Sequence, residues 1–353
     1  MAKRAVVLLN LGGPDELAAV QPFLFNLFND PAIIAVPRGF RWLLAKVISR
    51  RRTPIAKSIY KKLGGASPLL RQTEAQAREL EARLGATSRV FISMRYWHPR
   101  SYETAQAVLK YDPESVVLLP LYPQYSSTTT GSSVTDWNDA AKKLGLNKPT
   151  FLVGCYPTND RFIAAHVKLV RATLDSAATA HGTRVLFSAH GLPEKIIAGG
   201  DPYQWQVEQT AAAIVKELAS HRLDWEVCYQ SRVGPLRWTG PSTEELIVQA
   251  GAERKSVIVV PIAFVSEHSE TLVELDIEYA EMARRAGVPS YKRVDTLGVC
   301  DDFLDALREM VESASSHNKP LPAGEVCQCP PCFQLCCKAS GAPSILNSKV
   351  LSG

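Results

Sequence analysis

Eight short β-branched and aliphatic runs, separated by helix-length segments, constrain this chain more than any other feature. The runs lie near Ala5–Asn10, Arg89–Met94, Ser115–Leu121, Thr150–Cys155, Arg184–Ala189, Trp225–Gln230, Ser256–Phe264 and Tyr291–Thr296. Between them fall amphipathic stretches such as Thr73–Leu84, Ser101–Lys110, Asp160–Ala178 and Val207–His221. Apolar strands buried on both faces and alternating with helices predict parallel sheets covered by helices. A length of 353 residues exceeds one ordinary core and suits two domains. The two halves echo each other. Val6–Pro14 (VVLLNLGGP) lines up with Val185–Pro193 (VLFSAHGLP), and Ser115–Tyr122 (SVVLLPLY) lines up with Ser256–Ala263 (SVIVVPIA). The expected fold is therefore α/β, with two similar four-stranded parallel sheets flanked by helices. The expected divisions are residues 1–155, residues 156–322 and a Cys-rich extension over 323–353.

Composition removes several classes. With 46% hydrophobic and 21% charged residues the chain is globular rather than disordered or collagen-like. Its longest apolar run, Ser256–Val265, is broken by Pro261 and falls short of the ~20 residues that span a bilayer. The apolar stretch Ala5–Leu9 is short and lacks a small-residue cleavage site, so no signal peptide and a cytoplasmic location are expected.

The net charge of +5 is unevenly spread. Between Asp30 and Glu74 there are ten basic residues and no acidic one; between Ser266 and Ala283 there are six acidic residues and no Lys or Arg. The basic stretch carries apolar bulk, with Phe23, Leu24, Phe25, Leu27 and Phe28 before it and Phe40, Trp42, Leu43, Leu44, Val47 and Ile48 within it. Nucleic-acid binding does not call for so much aliphatic surface. A flat, greasy, carboxylated ligand or a membrane surface does.

Ligands of parallel sheets collect at the carboxyl ends of strands, and the unusual residues sit there. After Ser256–Val265 comes SEHSETLVELDIEY, which puts Glu270, Glu274 and Glu278 at i, i+4 and i+8 on a helix, with Glu267 before them. Such a row is either a solvated acidic face or a ladder for a divalent cation such as Fe²⁺, which accepts oxygen and imidazole ligands. His190, in FSAHGLP, and His268 lie at expected strand ends, where an imidazole can accept a proton or bind a metal. His98, His166, His181, His221 and His317 read as surface or capping residues. The loop LYPQYSSTTTGSS (Leu121–Ser133) is rich in hydroxyl groups and aromatic rings, and NLGGP (Asn10–Pro14) lacks the spacing of a nucleotide-binding loop.

Together these segments resemble the ferrochelatases, which insert ferrous iron into protoporphyrin IX. The resemblance runs from about Val6 to Val311. It is carried by LNLGGP, RRTP (Arg51–Pro54), GGASP (Gly64–Pro68), RYWHP (Arg95–Pro99), LYPQYSSTTTGSS, FSAHGLP, GDPY (Gly200–Tyr203), QSRVGPLRWTGP (Gln230–Pro241) and PIAFVSEHSETLVELDIEY. It implies two Rossmann-like, chelatase-type domains with a porphyrin cleft between them. His190 and Glu270 would be the catalytic pair, opposed across the tetrapyrrole, with His268, Glu274 and Glu278 continuing a metal or proton path. Arg52 and Ser67 match propionate-binding positions. Leu11, Arg95, Tyr96, Tyr125 and Trp238 would border the macrocycle, with Ser231 nearby. The implied activity is that of a protohaem ferro-lyase. A coproporphyrin III ferrochelatase and a non-catalytic porphyrin or metal carrier are the alternatives. The implied partners are protoporphyrin IX, Fe²⁺ and a weakly held membrane surface, with a homodimer left open and nucleic acid excluded.

Five of the eight cysteines crowd between Cys327 and Cys337. Cys329, Cys332 and Cys337 give the C-x₂-C-x₄-C spacing used by those ferrochelatases that hold a 2Fe–2S cluster, with Cys155 in the place of the remote fourth ligand. A zinc site is the rival reading, and Cys327 and Cys336 are spare thiols. Cys228 and Cys300 read as structural.

Overall fold

A computed structural model describes residues 3–176, 182–219, 223–232, 234–316 and 329–336. His181, His221, His317, Cys327 and Cys337 lie outside the described residues.

All eight expected strands form: β1 (Arg4–Asn10), β2 (Ser88–Met94), β3 (Ser115–Pro120), β4 (Thr150–Leu152), β5 (Thr183–His190), β6 (Asp224–Gln230), β7 (Ser256–Pro261) and β8 (Tyr291–Arg293). They make two parallel sheets of identical topology, β2-β1-β3-β4 and β6-β5-β7-β8. The repeated sequence segments occupy equivalent places, since β1 and β5 are central and β3 and β7 lie beside them. Each proline that broke a run ends its strand, at Pro120 and Pro261. Pairing to the edge strand has already stopped there, at Leu118↔Leu152 and Val259↔Arg293, so the missing N–H costs no ladder bond. This also explains why β4, β7 and β8 are shorter than the apolar runs suggested.

The helices are α1 (Val20–Phe28), α2 (Arg38–Lys62), α3 (Leu69–Leu84), α4 (Ser101–Tyr111), α5 (Ser132–Leu144), α6 (Asp160–Asp175), α7 (Glu194–Ala198), α8 (Tyr203–Leu218), α9 (Thr243–Ala252), α10 (Ala280–Arg285) and α11 (Asp301–Ser316). Two π-wound segments precede α5 and α10, at Ser127–Gly131 and Glu270–Tyr279. Local chemistry sets several starts. Asn159 caps α6 by accepting from Phe162 N–H, and Ser242 with Glu245 forms a reciprocal capping box on α9.

By compactness the chain divides into one unit containing residues up to Cys155 with those from Leu307 onward, and another spanning Tyr156–Ala306. In the first, Val7, Leu9, Val116, Leu118 and Trp137 build a core between β-sheet and helices α4 and α5. In the second, Leu186, Val257, Val259, Leu275 and Tyr279 pack against α9 and the π-helix. Burial of this kind contributes about 25 cal/mol per Å² of apolar surface, and it selects the parallel, two-sided arrangement.

One apolar expectation changes. Phe23 and Leu24 of α1 are buried with Val20, Tyr60 and Tyr96, so α1 belongs to a core rather than to a greasy lip. The exposed apolar residues are those of α2, where Phe40, Trp42, Leu43, Leu44 and Val47 face outward. One histidine also moves. His166 is 1% exposed, packed edge-on to Phe162 at 4.8 Å, and is neither a surface nor a capping residue. Its helix places it on the apolar stripe facing the interior. His98 is exposed and paired with Glu103, as a surface histidine should be.

Candidate active site

The second unit gathers its polar residues at the carboxyl ends of neighbouring strands. β5 ends in His190 and pairs with β6, whose end is Gln230, and with β7, which leads through a short loop to Glu270. Adjacent parallel strands lie ~4.8 Å apart, so residues eighty positions apart in the chain meet there.

His190 Nδ1 and Glu270 Oε2 are 3.0 Å apart and hydrogen-bonded. This corrects the expectation that they oppose each other across a tetrapyrrole. They sit on one wall, and a macrocycle does not fit between groups already in contact. The pair is reachable, with the His190 side chain 37% and Glu270 28% exposed. Burial alone would lower the imidazole's pKa; the Glu270 carboxylate beside it outweighs that and raises it. Burial pushes Glu270 the other way, and His190 holds its carboxyl well below the usual range. The result is an imidazole made more basic by its own carboxylate.

His268 is buried and tilted against Phe264 at 4.5 Å, and its pKa is lowered, mainly by burial. Its Nδ1 is buried without a hydrogen-bond partner. Glu274 is held by the Ser231 N–H at 2.9 Å, the Ser231 hydroxyl at 2.5 Å, the Gln230 amide at 3.0 Å and the Tyr279 hydroxyl at 3.1 Å. Burial and the nearby Glu270 raise its pKa. Glu278 is exposed, outside this group. The segment is wound with i→i+5 bonds, which bring Tyr279 rather than Glu278 against Glu274.

The acidic run is less of a cation surface than composition implied. Arg293 pairs with Glu267 at 2.9 Å and with Asp276 at 2.6 Å, and Glu281 pairs with Arg284 and Arg285. Arg293 was not singled out from the sequence, and no local signal could have found a counter-ion lying 26 residues from Glu267 on the edge strand. Gln230 was visible only as part of QSRVGP.

In the first unit, Ser67 N–H donates to the Pro14 carbonyl at 2.7 Å, tying GGASP to NLGGP. A side chain at Gly13 would occupy the place of the Ser67 hydroxyl, so that position requires glycine. Leu11 is partly buried against the α1 core, and Arg52 is half-buried on α2. Arg95 reaches Asp30 at 2.9 Å, the Ser132 hydroxyl at 2.7 Å and Asp136 at 3.4 Å. Tyr96 is buried and donates to Asp30 at 2.7 Å, which gives its ring a place in the core rather than on a binding wall. Tyr125 is buried, with its hydroxyl beside Gly131. In the second unit Trp238 is half-buried, pairing as an antiparallel bridge with Pro193.

Of the cysteines, Cys155, Cys329 and Cys336 are buried, Cys332 is exposed and Cys228 lies in the core as a structural thiol. Among the described residues no three His, Cys, Asp or Glu side chains group as a metal centre.

Imidazole and carboxylate oxygen are the donors that a ferrous ion accepts, and a carboxylate-paired imidazole is also a competent proton acceptor. Comparison with known proteins agrees with that chemistry. The ferrochelatase family model matches residues 3–315. A ferrochelatase of Pelagibacter ubique is 50% identical over 343 residues, covering 95% of this chain and 98% of that protein. One of Caulobacter vibrioides is 54% identical over 317 residues, covering 88% and 90%. Among solved structures, the sirohydrochlorin chelatase SirB of Bacillus subtilis subspecies spizizenii in complex with cobalt shares the fold at 10% identity, with a TM-score of 0.54 and coverage of 92% and 98%. A paired imidazole and carboxylate at the strand ends of a chelatase-type fold, in a sequence half identical to named relatives over nearly its whole length, place this chain in the ferrochelatase family.

Proposed function

We propose that the chain inserts Fe²⁺ into protoporphyrin IX, forming protohaem and releasing two protons. The observation that carries the reading is the contact between His190 and Glu270 at the strand ends. Metal insertion requires two pyrrole N–H protons to leave, the hydrated ion to lose water, and the ring to bend until its nitrogen lone pairs meet the metal. His190 in its neutral form accepts a pyrrole proton, and Glu270 stabilises the imidazolium that results. Glu270 and His268 replace water around the ion in steps, with exposed Glu278 further along the same segment. Contacts around the ring supply the distortion. In this reading the metal-site segment lies within residues 156–322, with Ser231 and Trp238 of the same unit near it.

Two finer points belong to the same proposal. The basic helix α2, with its outward apolar residues, supports a weak peripheral association with an anionic membrane surface. Among the described residues no helix is long and apolar enough to cross a membrane. The donor chemistry of Cys155, Cys329, Cys332 and Cys337 fits a 2Fe–2S cluster, which these thiolates would hold and which would supply a covalent tie between the extension and the rest of the chain.

The deciding experiment measures loss of free-base porphyrin emission with Fe²⁺, or its replacement by zinc-porphyrin emission with Zn²⁺, run side by side on protoporphyrin and coproporphyrin. Protoporphyrin is expected to turn over faster, and His190→Ala and Glu270→Gln should each lose about 10²-fold or more in kcat. Faster coproporphyrin turnover would change the substrate. Undiminished rates in both variants would remove the assigned roles, and binding without turnover in the wild type would make the protein a carrier.

A further inference from the structure

We propose that Glu274 is a positioning residue, one that holds the turn after β6 and the Trp238 loop in place beside His190, and is not a ligand that hands the metal inward. The proposal rests on the porphyrin reading above for its kinetic test.

An ionised carboxylate has about four acceptor sites. Three of those of Glu274 are met by the Ser231 N–H, the Ser231 hydroxyl and the Gln230 amide, and the Tyr279 hydroxyl, with one proton to share, lies 3.1 Å from Glu274 and 2.8 Å from Glu244. A divalent ion bound through both oxygens would have to displace them. The Gln230 donor is not free to turn away. Its side chain is fully buried, and its Oε1 accepts from the Ser188 hydroxyl at 2.8 Å, which aims Nε2 at Glu274 and at the Glu270 carbonyl, 3.2 Å away.

What Glu274 holds is unusual. Ser231 has φ +61°, a left-handed conformation that a residue bearing a Cβ keeps only when its surroundings impose it. Both donors of Ser231 end on this one carboxylate. Further along, the residues beside Trp238 bond to the segment that follows His190. Thr239 N–H donates to the Leu192 carbonyl at 2.9 Å, Leu192 N–H to the Thr239 hydroxyl at 3.1 Å, and Glu194 N–H to the Arg237 carbonyl at 3.0 Å. The two segments approach so closely at Gly191 that a Cβ there would lie 3.1 Å from the Gln230 carbonyl and 3.3 Å from Arg232. Glu274 thus acts on His190 and on the Trp238 wall through the Ser231 turn.

A ligand and a positioning residue differ in which KM they control. In full-length Glu274→Gln, which sets amide hydrogens against some of these donors, the porphyrin KM should rise on the order of 10-fold while the Zn²⁺ KM stays within about 2-fold. Ser231→Gly, which adopts positive φ without steric cost, should recover roughly half of that loss when combined with Glu274→Gln. Amide hydrogen exchange at Leu192, Glu194 and Thr239 should accelerate in Glu274→Gln and slow again in the double variant. Tyr279→Phe, removing one donor, should move the same quantities less and decides the matter if Glu274→Gln does not fold. A 10-fold or so rise in Zn²⁺ KM with unchanged porphyrin KM and no rescue would overturn the proposal. Unchanged exchange would overturn it even if no porphyrin were metallated, whereas absent wild-type turnover strikes only the metal-insertion reading.

Discussion

His190 is held between two opposing influences, burial that favours the neutral imidazole and a carboxylate that favours the imidazolium, and the carboxylate wins. Since the neutral form accepts the pyrrole proton, kcat/KM for metal insertion is expected to rise with pH through that elevated pKa. Glu270→Gln removes the anion and leaves the burial, so the acid limb of the profile should shift to lower pH; an unmoved limb would mean that another group titrates. His166 offers a cleaner case. Burial pushes its pKa down to about 3, with neither ring nitrogen partnered. The neutral ring's contribution is complete above the unfolded value near 6.5 and is lost as pH falls toward 3, because the unfolded chain binds the proton first. Between pH 7 and pH 5 this costs about 2 kcal/mol. His166→Leu should flatten that part of the stability curve, measured by urea unfolding at the two pH values, and an unchanged slope would assign the loss elsewhere.

At the scale of elements, alternation of apolar runs and amphipathic segments sufficed to anticipate every strand among the described residues, because a parallel strand must be apolar on both faces and few other structures need that. Its extent was less legible. β7 stops at Pro261 and β8 spans only Tyr291–Arg293, since strand length depends on the neighbour's register. The row Glu270, Glu274, Glu278 assumed α-helical winding; the π-helix joins Glu274 to Tyr279 and leaves Glu278 outside, and no propensity distinguishes the two windings in advance. α2 shows the same division of knowledge. Its basic and apolar content was plain, but only packing separates the buried Phe23 and Leu24 of α1 from Phe40, Trp42 and Leu43, which are 70%, 47% and 54% exposed. Replacing Trp42 and Leu43 by serine should abolish sedimentation with phosphatidylserine vesicles at low salt. Raised salt should weaken wild-type binding, because arginines and lysines screened within about 10 Å supply part of the attraction. Equal binding by the variant would count against α2.

For the whole molecule, the cysteine extension is the part that spacing describes best and packing least. Anaerobically purified full-length protein is expected to contain iron and acid-labile sulfide in equal amounts, and Cys155→Ser should lose both; stoichiometric zinc without sulfide would replace the cluster with a zinc site. Burial of Cys336 beside the exposed Cys332 makes Cys336→Ser the control for the choice among thiols. The order of residues alone was enough to anticipate two similar α/β halves and the resemblance to the family, because the hydrophobic pattern and the motif order are written along one dimension. Which groups touch was settled by the fold. That His190 and Glu270 are bonded side by side, that Arg293 neutralises Glu267, and that Gln230, Ser231 and Tyr279 converge on Glu274 follow from strand register and helix winding. Those contacts join residues from 5 to 80 positions apart, and their energies exist only once the chain has closed the loops between them.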